Sequence, residues 1–163
     1  MSRIFSTRRS TLRLLAASAA SALFAGVARA EPAKMVMQKM VMHKSATCGC
    51  CSKWATRMRE AGYAVEEIVE ADMKAVKTRL GVPDAMASCH TAEIDGYLVE
   101  GHVPPQALAQ LLKERPKAAG LAAPGMPGGS PGMESAEPEV YALYLFDASG
   151  SRDFGKWLGD KPA

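Results

Sequence analysis

The sequence has no apolar stretch long enough to cross a membrane as a helix. Its most apolar stretch, residues 14–27, is shorter than the roughly 20 residues that a spanning helix needs. This stretch follows four arginines and precedes Ala28-Arg29-Ala30, a small-x-small pattern that signal peptidases cleave. We therefore expect residues 1–30 to be a cleaved export signal, and the exported protein to have no membrane anchor.

The basic part of this segment, residues 7–13, resembles a twin-arginine export signal. It reads Thr-Arg-Arg-Ser-Thr-Leu-Arg. In bacteria this signal directs the export of proteins that have already folded, often around a cofactor. The expected location of the protein is therefore the periplasm, reached by the twin-arginine route.

An excess of positive charge is also absent from the rest of the chain. Five of the 20 Lys+Arg residues and none of the 17 Asp+Glu residues lie in residues 1–30, which leaves 15 basic and 17 acidic residues, a net charge of −2. A domain with this balance has no electrostatic basis for binding nucleic-acid phosphates. We therefore expect no nucleic-acid partner.

Cysteine is scarce, with 4 among 163 residues, and the sequence has no internal repeat. Residues 31–163 suffice for one small domain that buries its own apolar core without disulfide bonds throughout the chain. The four cysteines therefore need a local explanation.

The apolar pattern of the first two thirds of the exported chain predicts alternating strands and helices. Thr47 is the predicted cap of the first helix, Asp95-Gly96 is a hairpin turn, and Pro104-Pro105 opens the third helix. The resulting order is βαβα-ββα, with predicted strands at 35–43, 63–69, 91–94 and 97–100, and predicted helices at 48–62, 72–80 and from residue 104 onward.

The C-terminal part has less regular patterning. Residues 120–138 are dense in Gly and Pro and are predicted to form a surface loop that carries Met126 and Met133. A further strand is predicted at 141–146. We expect the domain to span residues 31–148 and residues 149–163 to be a loosely packed tail.

Three thiols lie close together at Cys48, Cys50 and Cys51, at the predicted start of the first helix. Unpaired backbone N–H groups and the positive end of the helix dipole favour thiolate over thiol at such a position. Thiolates are soft ligands that suit Cu(I), and a bound cation removes the repulsion among them. The cluster is therefore a candidate copper site.

Cys89 is distant in sequence, but the predicted order brings the turn before the third strand next to the start of the first helix. A fourth thiol can therefore reach the same site. His90 follows Cys89 directly, and we take both as candidate metal ligands because imidazole is the commonest metal ligand in proteins. The secondary candidates are His43, His102, Met126 and Met133.

Two other interpretations of the cysteines stay open. Four thiols in an oxidising compartment can form two structural disulfides. In a dithiol oxidoreductase, Cys48 would be the nucleophile and Cys51 the resolving thiol. Cys50 favours a metal cluster, because disulfide exchange does not need a third thiol. Zinc also remains compatible with four Cys and His ligands.

A C-x-x-C motif at the first helix, an Asp-Gly hairpin and a following helix resemble the glutaredoxin and thioredoxin pattern. This resemblance implies an α/β fold, a thioredoxin-like βαβ-ββα sandwich to which the Gly/Pro/Met-rich loop and a C-terminal strand are added. One feature departs from the pattern. Ser88-Cys89-His90-Thr91 stands where those enzymes place a cis-proline beside the active-site disulfide.

Longer motifs resemble the CopG-type periplasmic copper-binding family of the thioredoxin-like superfamily. The similarity covers roughly residues 40–146. Its motifs are His43-Lys44-Ser45, Cys48-Gly49-Cys50-Cys51-Ser52-Lys53-Trp54, Ser88-Cys89-His90-Thr91, Gly96-Tyr97, Glu100-Gly101-His102-Val103-Pro104, Gly125-Met126-Pro127 and Gly132-Met133-Glu134.

This resemblance implies a domain that holds a cysteine-bridged cluster of several copper ions and acts in copper resistance, with interconversion of Cu(I) and Cu(II). The implied ligands are Cys48, Cys50, Cys51 and Cys89. The expected partners are copper ions and a periplasmic copper-efflux or copper-chaperone protein. Storage, delivery and redox conversion would share these ligands, so the sequence does not separate them or decide whether the protein is an enzyme.

Overall fold

The computed structural model describes residues 37–163, in which eight strands form one sheet and three helices pack against it. The predicted export signal and the first residues of the predicted strand 35–43 lie outside the described residues. No helix between residues 37 and 163 has the length and apolar character needed to span a bilayer.

The element order predicted up to the third helix is present, and the fold is mixed α/β. The strands are β1 Lys39–Ser45, β2 Ala64–Glu70, β3 His90–Ile94, β4 Tyr97–Glu100, β5 Gly120–Ala122, β6 Val140–Asp147, β7 Gly150–Leu158 and β8 Lys161–Pro162. The helices are α1 Gly49–Glu60, α2 Met73–Leu80 and α3 Pro105–Glu114, and a short 3-10 turn spans Asp84–Met86.

The sheet has the strand order β2-β1-β3-β4-β5-β6-β7-β8. The pairs β1–β2 and β4–β5 are parallel, and the other neighbouring pairs are antiparallel. Each parallel pair is connected through a helix, as the geometry of parallel strands requires.

The main core lies between the sheet and the helices α1 and α3. Met40 and Met42 alternate along β1 and are both fully buried in this core. Helix α1 buries Trp54 and Met58 at a spacing of four, so one face of an otherwise polar helix contacts the sheet. Burial of each such side chain contributes about 1.5–3 kcal/mol, which fixes the position of α1.

A second, smaller core lies on the opposite face of the sheet. It contains Val82, Met86 and Phe146, with Leu98 packed against them. Since Leu98 alternates with Val99 of the main core, helix α2 and the 3-10 turn cover the face of the sheet that α1 and α3 do not.

The prediction of a loosely packed tail at residues 149–163 is wrong. Strand β7 pairs with β6 from one end to the other, and Trp157 is buried in the main core. The side chain of Asp147 accepts a hydrogen bond from the N–H of Ser149 at 2.8 Å, which closes a short hairpin turn. The hairpin and the buried indole together hold this segment on the sheet.

Two smaller expectations also differ from the structure. Residues 120–138 begin with β5, a strand formed by pairing between β4 and β6, and their interior residues Ser130 and Pro131 are buried rather than on the surface. The residue in the cap position of α1 is Cys48, not Thr47, and no side chain caps the helix.

Candidate functional site

The candidate site lies where the first turn of α1 meets the start of β3. Cys48 occupies the cap position of α1, and Cys50 and Cys51 belong to its first turn. The sulfurs of Cys48 and Cys50 are 3.5 Å apart. Because no side chain caps this helix, the unpaired N–H groups of its first turn remain available to stabilise negative charge on sulfur.

The structure contains one disulfide, between Cys48 and Cys51, whose Cα atoms are 5.4 Å apart. Cys50 and Cys89 are free thiols. The sulfurs of all four cysteines nevertheless lie within 4.8 Å of one another. The described residues therefore hold a C-x-x-C disulfide with two further thiols beside it, not two separate structural disulfides.

Cys89 also contacts both neighbouring histidines. Its sulfur lies 3.1 Å from Nε2 of His102 and 3.3 Å from Nδ1 of His90. The other ring nitrogen of His102, Nδ1, lies 2.8 Å from the carbonyl oxygen of Pro131. Since a carbonyl only accepts, Nδ1 carries the proton, and Nε2 directs its lone pair at the sulfur.

His90 is fully buried beside the same sulfur. Its ring packs on Trp54, with the ring centroids 4.4 Å apart, and its Nε2 atom has no hydrogen-bond partner. Burial lowers the pKa of His90 well below its ordinary value, and nearby His102 and Lys77 lower it further. The ring is therefore a neutral imidazole with one free nitrogen.

Burial also controls the ionisation of the other two groups. It lowers the pKa of His102, although the bond to the Pro131 carbonyl opposes the shift. Burial and the neighbouring Cys50 raise the pKa of the Cys89 thiol to about 12. Without a bound cation, Cys89 is thus a neutral thiol at neutral pH, and ionising it requires a positive charge at this position.

The strap, which we define as residues 126–134, covers this region from the side of α1. Gly132 has a φ of +85°, and a Cβ atom there would lie 2.7 Å from the backbone nitrogen of Trp54 and 3.0 Å from the carbonyl oxygen of Cys50. The backbone of the strap therefore lies directly on the first turns of α1, and Pro131 of the strap orients His102.

The end of the strap is held by a carboxylate. Glu134 accepts a hydrogen bond from the N–H of Gly132 at 3.0 Å and forms an ion pair with Arg57 of α1. The bond from Gly132 lowers the pKa of Glu134. The strap contains two methionines that are secondary candidate ligands. Met133 follows Gly132 and is half-buried, whereas Met126 is exposed.

The structure does not bring His43 to the cysteines. His43 alternates with Met42 of the main core, so it lies on the other face of the sheet. Its two ring nitrogens bond to carboxylates, Nδ1 to Glu70 at 2.7 Å and Nε2 to Glu93 at 3.1 Å. Both ring nitrogens therefore have hydrogen-bond partners, and the burial of His43 does not require a metal.

Sequence reasoning missed Glu100, a carboxylate with no exposed surface near the start of β3. One of its oxygens accepts bonds from Lys77 and from the N–H of Ser88, and the other accepts a bond from Thr91. The alternation of β4 shows only that Glu100 faces away from the core residue Val99. The sequence does not show that helix α2 covers this opposite face and so buries Glu100.

The donor set suits a soft, monovalent metal when the cysteines are reduced. Four thiolates and two neutral imidazoles would then converge from the start of α1, the start of β3 and the second residue after β4. The set comprises Cys48, Cys50, Cys51, Cys89, His90 and His102. Thiolates select Cu(I) over hard cations. The Nδ1 atom of His90, 3.3 Å from the Cys89 sulfur, and the oriented lone pair of His102 both fit ligation to copper.

Comparison with known proteins finds solved structures and a family model that are similar to this chain. Two solved structures of the copper resistance protein CopG, form 1 and form 2, each match at a TM-score of 0.70 and 44% sequence identity. The matches cover 76% and 74% of this chain, and 99% and 98% of those chains. Residues 86–133 match a family described as a protein of unknown function, DUF411. No curated protein sequence matches significantly.

Proposed function

The chain belongs to the family of the copper resistance protein CopG, and from that membership we propose that it binds copper as Cu(I) in a cluster of cysteine thiolates. The proposed role is copper resistance and homeostasis in the periplasm, after export by the twin-arginine route. The copper ions are its cargo, and a copper-efflux or copper-chaperone protein is the proposed exchange partner.

One observation carries this proposal: the sulfur of Cys89 belongs to two groups of ligands at once. It lies within 4.8 Å of the other three cysteine sulfurs, and it also lies within 4.8 Å of a nitrogen of His90 and of His102. A thiolate that two such groups share is suited to bridge two metal ions. The proposed cluster is therefore polynuclear, with Cys89 at its centre.

The thiol count depends on the oxidation state of Cys48 and Cys51. With the disulfide formed, the site offers the thiols of Cys50 and Cys89 and two imidazoles. Reduction to two thiols doubles the number of sulfur ligands. We propose that copper loads onto the reduced form. Interconversion of Cu(I) and Cu(II) is proposed at the same site, where the thiols of Cys48 and Cys51 release two electrons and two protons on forming the disulfide as two Cu(II) ions become Cu(I).

The thioredoxin-like fold assignment is part of the proposal. It is supported by a C-x-x-C disulfide at the start of α1 and by the βαβα-ββα order. No cis peptide bond occurs within residues 37–163, so the chain between Ser88 and Thr91 lacks the cis-proline of the redox enzymes. In its place stand two candidate ligands, Cys89 and His90.

The test is Cu(I) binding by the anaerobically reduced protein, measured by competition with a chromophoric chelator. Serine at Cys48, Cys50, Cys51 and Cys89 should abolish binding. The matched control is His43→Gln, which removes a buried histidine on the opposite face and should leave binding unchanged. Equal copper binding by the four-serine variant would refute the proposal.

A second function, thiol-disulfide exchange, is favoured by the Cys48–Cys51 disulfide itself. Here Cys48 at the helix start would be the nucleophile and Cys51 the resolving thiol. Alanine at Cys50 and Cys89 distinguishes the two functions. If this variant reduces a model disulfide as fast as the native protein, and the native protein holds no copper, the oxidoreductase is the correct assignment.

A further inference from the structure

Glu100 is a buried charge that the proposed copper chemistry does not explain. Its side chain has no exposed surface, and its ion-pair partner Lys77 is only 12% exposed. Burial raises the pKa of Glu100, while Lys77 opposes that shift. Removing two charges from water is costly, and a buried ion pair is often no more stable than apolar residues of the same shape.

The hydrogen bonds of Glu100 point to a specific task. Its carboxylate connects three separate parts of the chain, namely Lys77 in α2, Thr91 in β3 and the backbone N–H of Ser88, which donates to it at 2.6 Å. Ser88 immediately precedes Cys89. The carboxylate therefore holds the Ala87–Ser88 peptide, one residue before the Cα atom that carries the central sulfur of the site.

The segment around Ser88 is confined from other directions as well. The hydroxyl of Ser88 donates to the carbonyl of Gly125, and Gly101 approaches so closely that a Cβ there would lie 2.6 Å from the Cβ of Ser88. These contacts fix where the segment lies. The Ala87–Ser88 peptide is bonded at both ends, because its carbonyl accepts from the N–H of Gly125 at 3.3 Å and its N–H donates to Glu100. Of these two partners, only Glu100 is a side chain that a substitution can remove.

We propose that Glu100 is a positioning residue for Cys89: it holds the Ser88 N–H so that the Cys89 sulfur faces His102 and the thiols of α1. Lys77 and Thr91 hold the carboxylate in turn. This inference rests on the proposed copper function and adds the residue that orients the bridging ligand. The orientation of Cys89 exists in the metal-free protein, so it can be tested without copper.

The test compares two double variants that both remove the buried charges. Lys77→Met/Glu100→Gln retains an amide oxygen that accepts from Ser88, whereas Lys77→Met/Glu100→Leu retains none. A role in charge balance alone would affect both variants alike. A positioning role would separate them, with the glutamine variant rescuing the site.

The copper-free readout is the alkylation rate of Cys89 by iodoacetamide in a Cys50→Ser background with the Cys48–Cys51 disulfide formed, where Cys89 is the remaining free thiol. Loss of the acceptor of the Ser88 N–H should raise this rate by up to about tenfold in the leucine variant, with little change in the glutamine variant. Glu66→Gln, which breaks the exposed Lys39–Glu66 pair, is the control.

The second readout is the rate of Cu(I) release to a chelator, with all four cysteines present. It should rise in the leucine variant and not in the glutamine variant. If the native protein binds no copper but the alkylation rates separate, the copper function fails and the positioning of Cys89 stands. If copper binds and neither readout separates the variants, the positioning role is overturned.

The leucine variant must fold for this comparison, which far-UV circular dichroism checks. If it does not fold, Thr91→Val replaces it, because valine is isosteric and removes one bond to the Glu100 carboxylate. Faster alkylation of Cys89 in Thr91→Val supports the positioning role, and an unchanged rate contradicts it.

Discussion

The Nε2 atom of His102 lies 3.1 Å from the sulfur of Cys89. The tautomer that allows this contact is set by the strap, because Nδ1 of the ring donates to the carbonyl oxygen of Pro131. A hydrogen bond on one ring nitrogen orients the other toward a metal in many metalloproteins and raises its basicity. The strap therefore orients His102, although its own backbone is not a metal ligand.

We predict that His102→Ala weakens Cu(I) binding by about tenfold or more, since changes around a metal ligand typically cost 10–100-fold in affinity. Competition with a Cu(I) chelator measures the effect. His43→Ala, on the opposite face of the sheet, should bind like the native protein. Equal losses in the two variants would show that His102 acts on stability rather than on the metal.

The metal-free protein should lose stability as the pH falls below about 6.5, the ordinary pKa of histidine. The pKa of His90 is lowered in the folded state by burial, so between the lowered value and about 6.5 the unfolded chain binds a proton that the folded chain does not. The slope from one such group is at most about 1.4 kcal/mol per pH unit.

Urea unfolding at a series of pH values between 7 and 5 measures this slope. His90→Phe keeps an aromatic ring beside Trp54 and removes the titrating group, so its slope should be shallower. The slope should not vanish, because the pKa of His102 is lowered in the same direction. A slope unchanged by His90→Phe would contradict the burial of a neutral His90.

Gly132→Ala should destabilise the protein more than Gly125→Ala. Both glycines have positive φ, +85° and +71°, but only at Gly132 would the new Cβ meet the backbone of α1. Left-handed strain alone costs about 1–2 kcal/mol, so the excess at Gly132 measures the contact of the strap with α1. Equal unfolding free energies for the two variants would show that this contact is loose.

Trp157→Ala should lower the free energy of unfolding by about 3–5 kcal/mol, the usual cost of removing a large buried aromatic side chain. Trp157 is 3% exposed in the main core, whereas its neighbour Leu158 is 42% exposed. Leu158→Ala is therefore the control and should change stability by less than about 1 kcal/mol. A small effect of Trp157→Ala would mean that β7 adds little to the fold.

The elements that the sequence predicted well have strong local signals. Helix α1 buries Trp54 and Met58 at helical spacing, and the hairpin of β3 and β4 turns at Asp95-Gly96. Both patterns depend on neighbouring residues only. Their boundaries in the structure differ from the predicted ones by one or two residues, as fraying of helix and strand ends allows.

The elements that the sequence missed depend on distant partners. Strand β5 is Gly-Leu-Ala, which has no strand pattern and exists because β4 and β6 lie on either side of it. Strand β7 is mostly polar and exposed, so it lacks the alternation of a half-buried strand. Pairing with β6 and the burial of Trp157 outweigh the weak intrinsic preference of these residues for a strand.

The candidate site also has features that local sequence predicts and features that depend on distant partners. The grouping of Cys48, Cys50 and Cys51 follows from their spacing, and the approach of Cys89 follows from the strand order. The different roles of the histidines and the part played by Glu100 do not follow from spacing. They depend on which face of the sheet each side chain occupies and on what covers that face.

The most direct test of the central claim is the number of Cu(I) ions bound per chain by the anaerobically reduced protein, measured beside Cys89→Ser. If Cys89 bridges two groups of ligands, the native protein binds more than one copper ion, and the serine variant loses at least one of them and releases the rest faster. A native protein that binds one copper ion or none, or a Cys89→Ser variant with an unchanged copper count and release rate, would contradict the account.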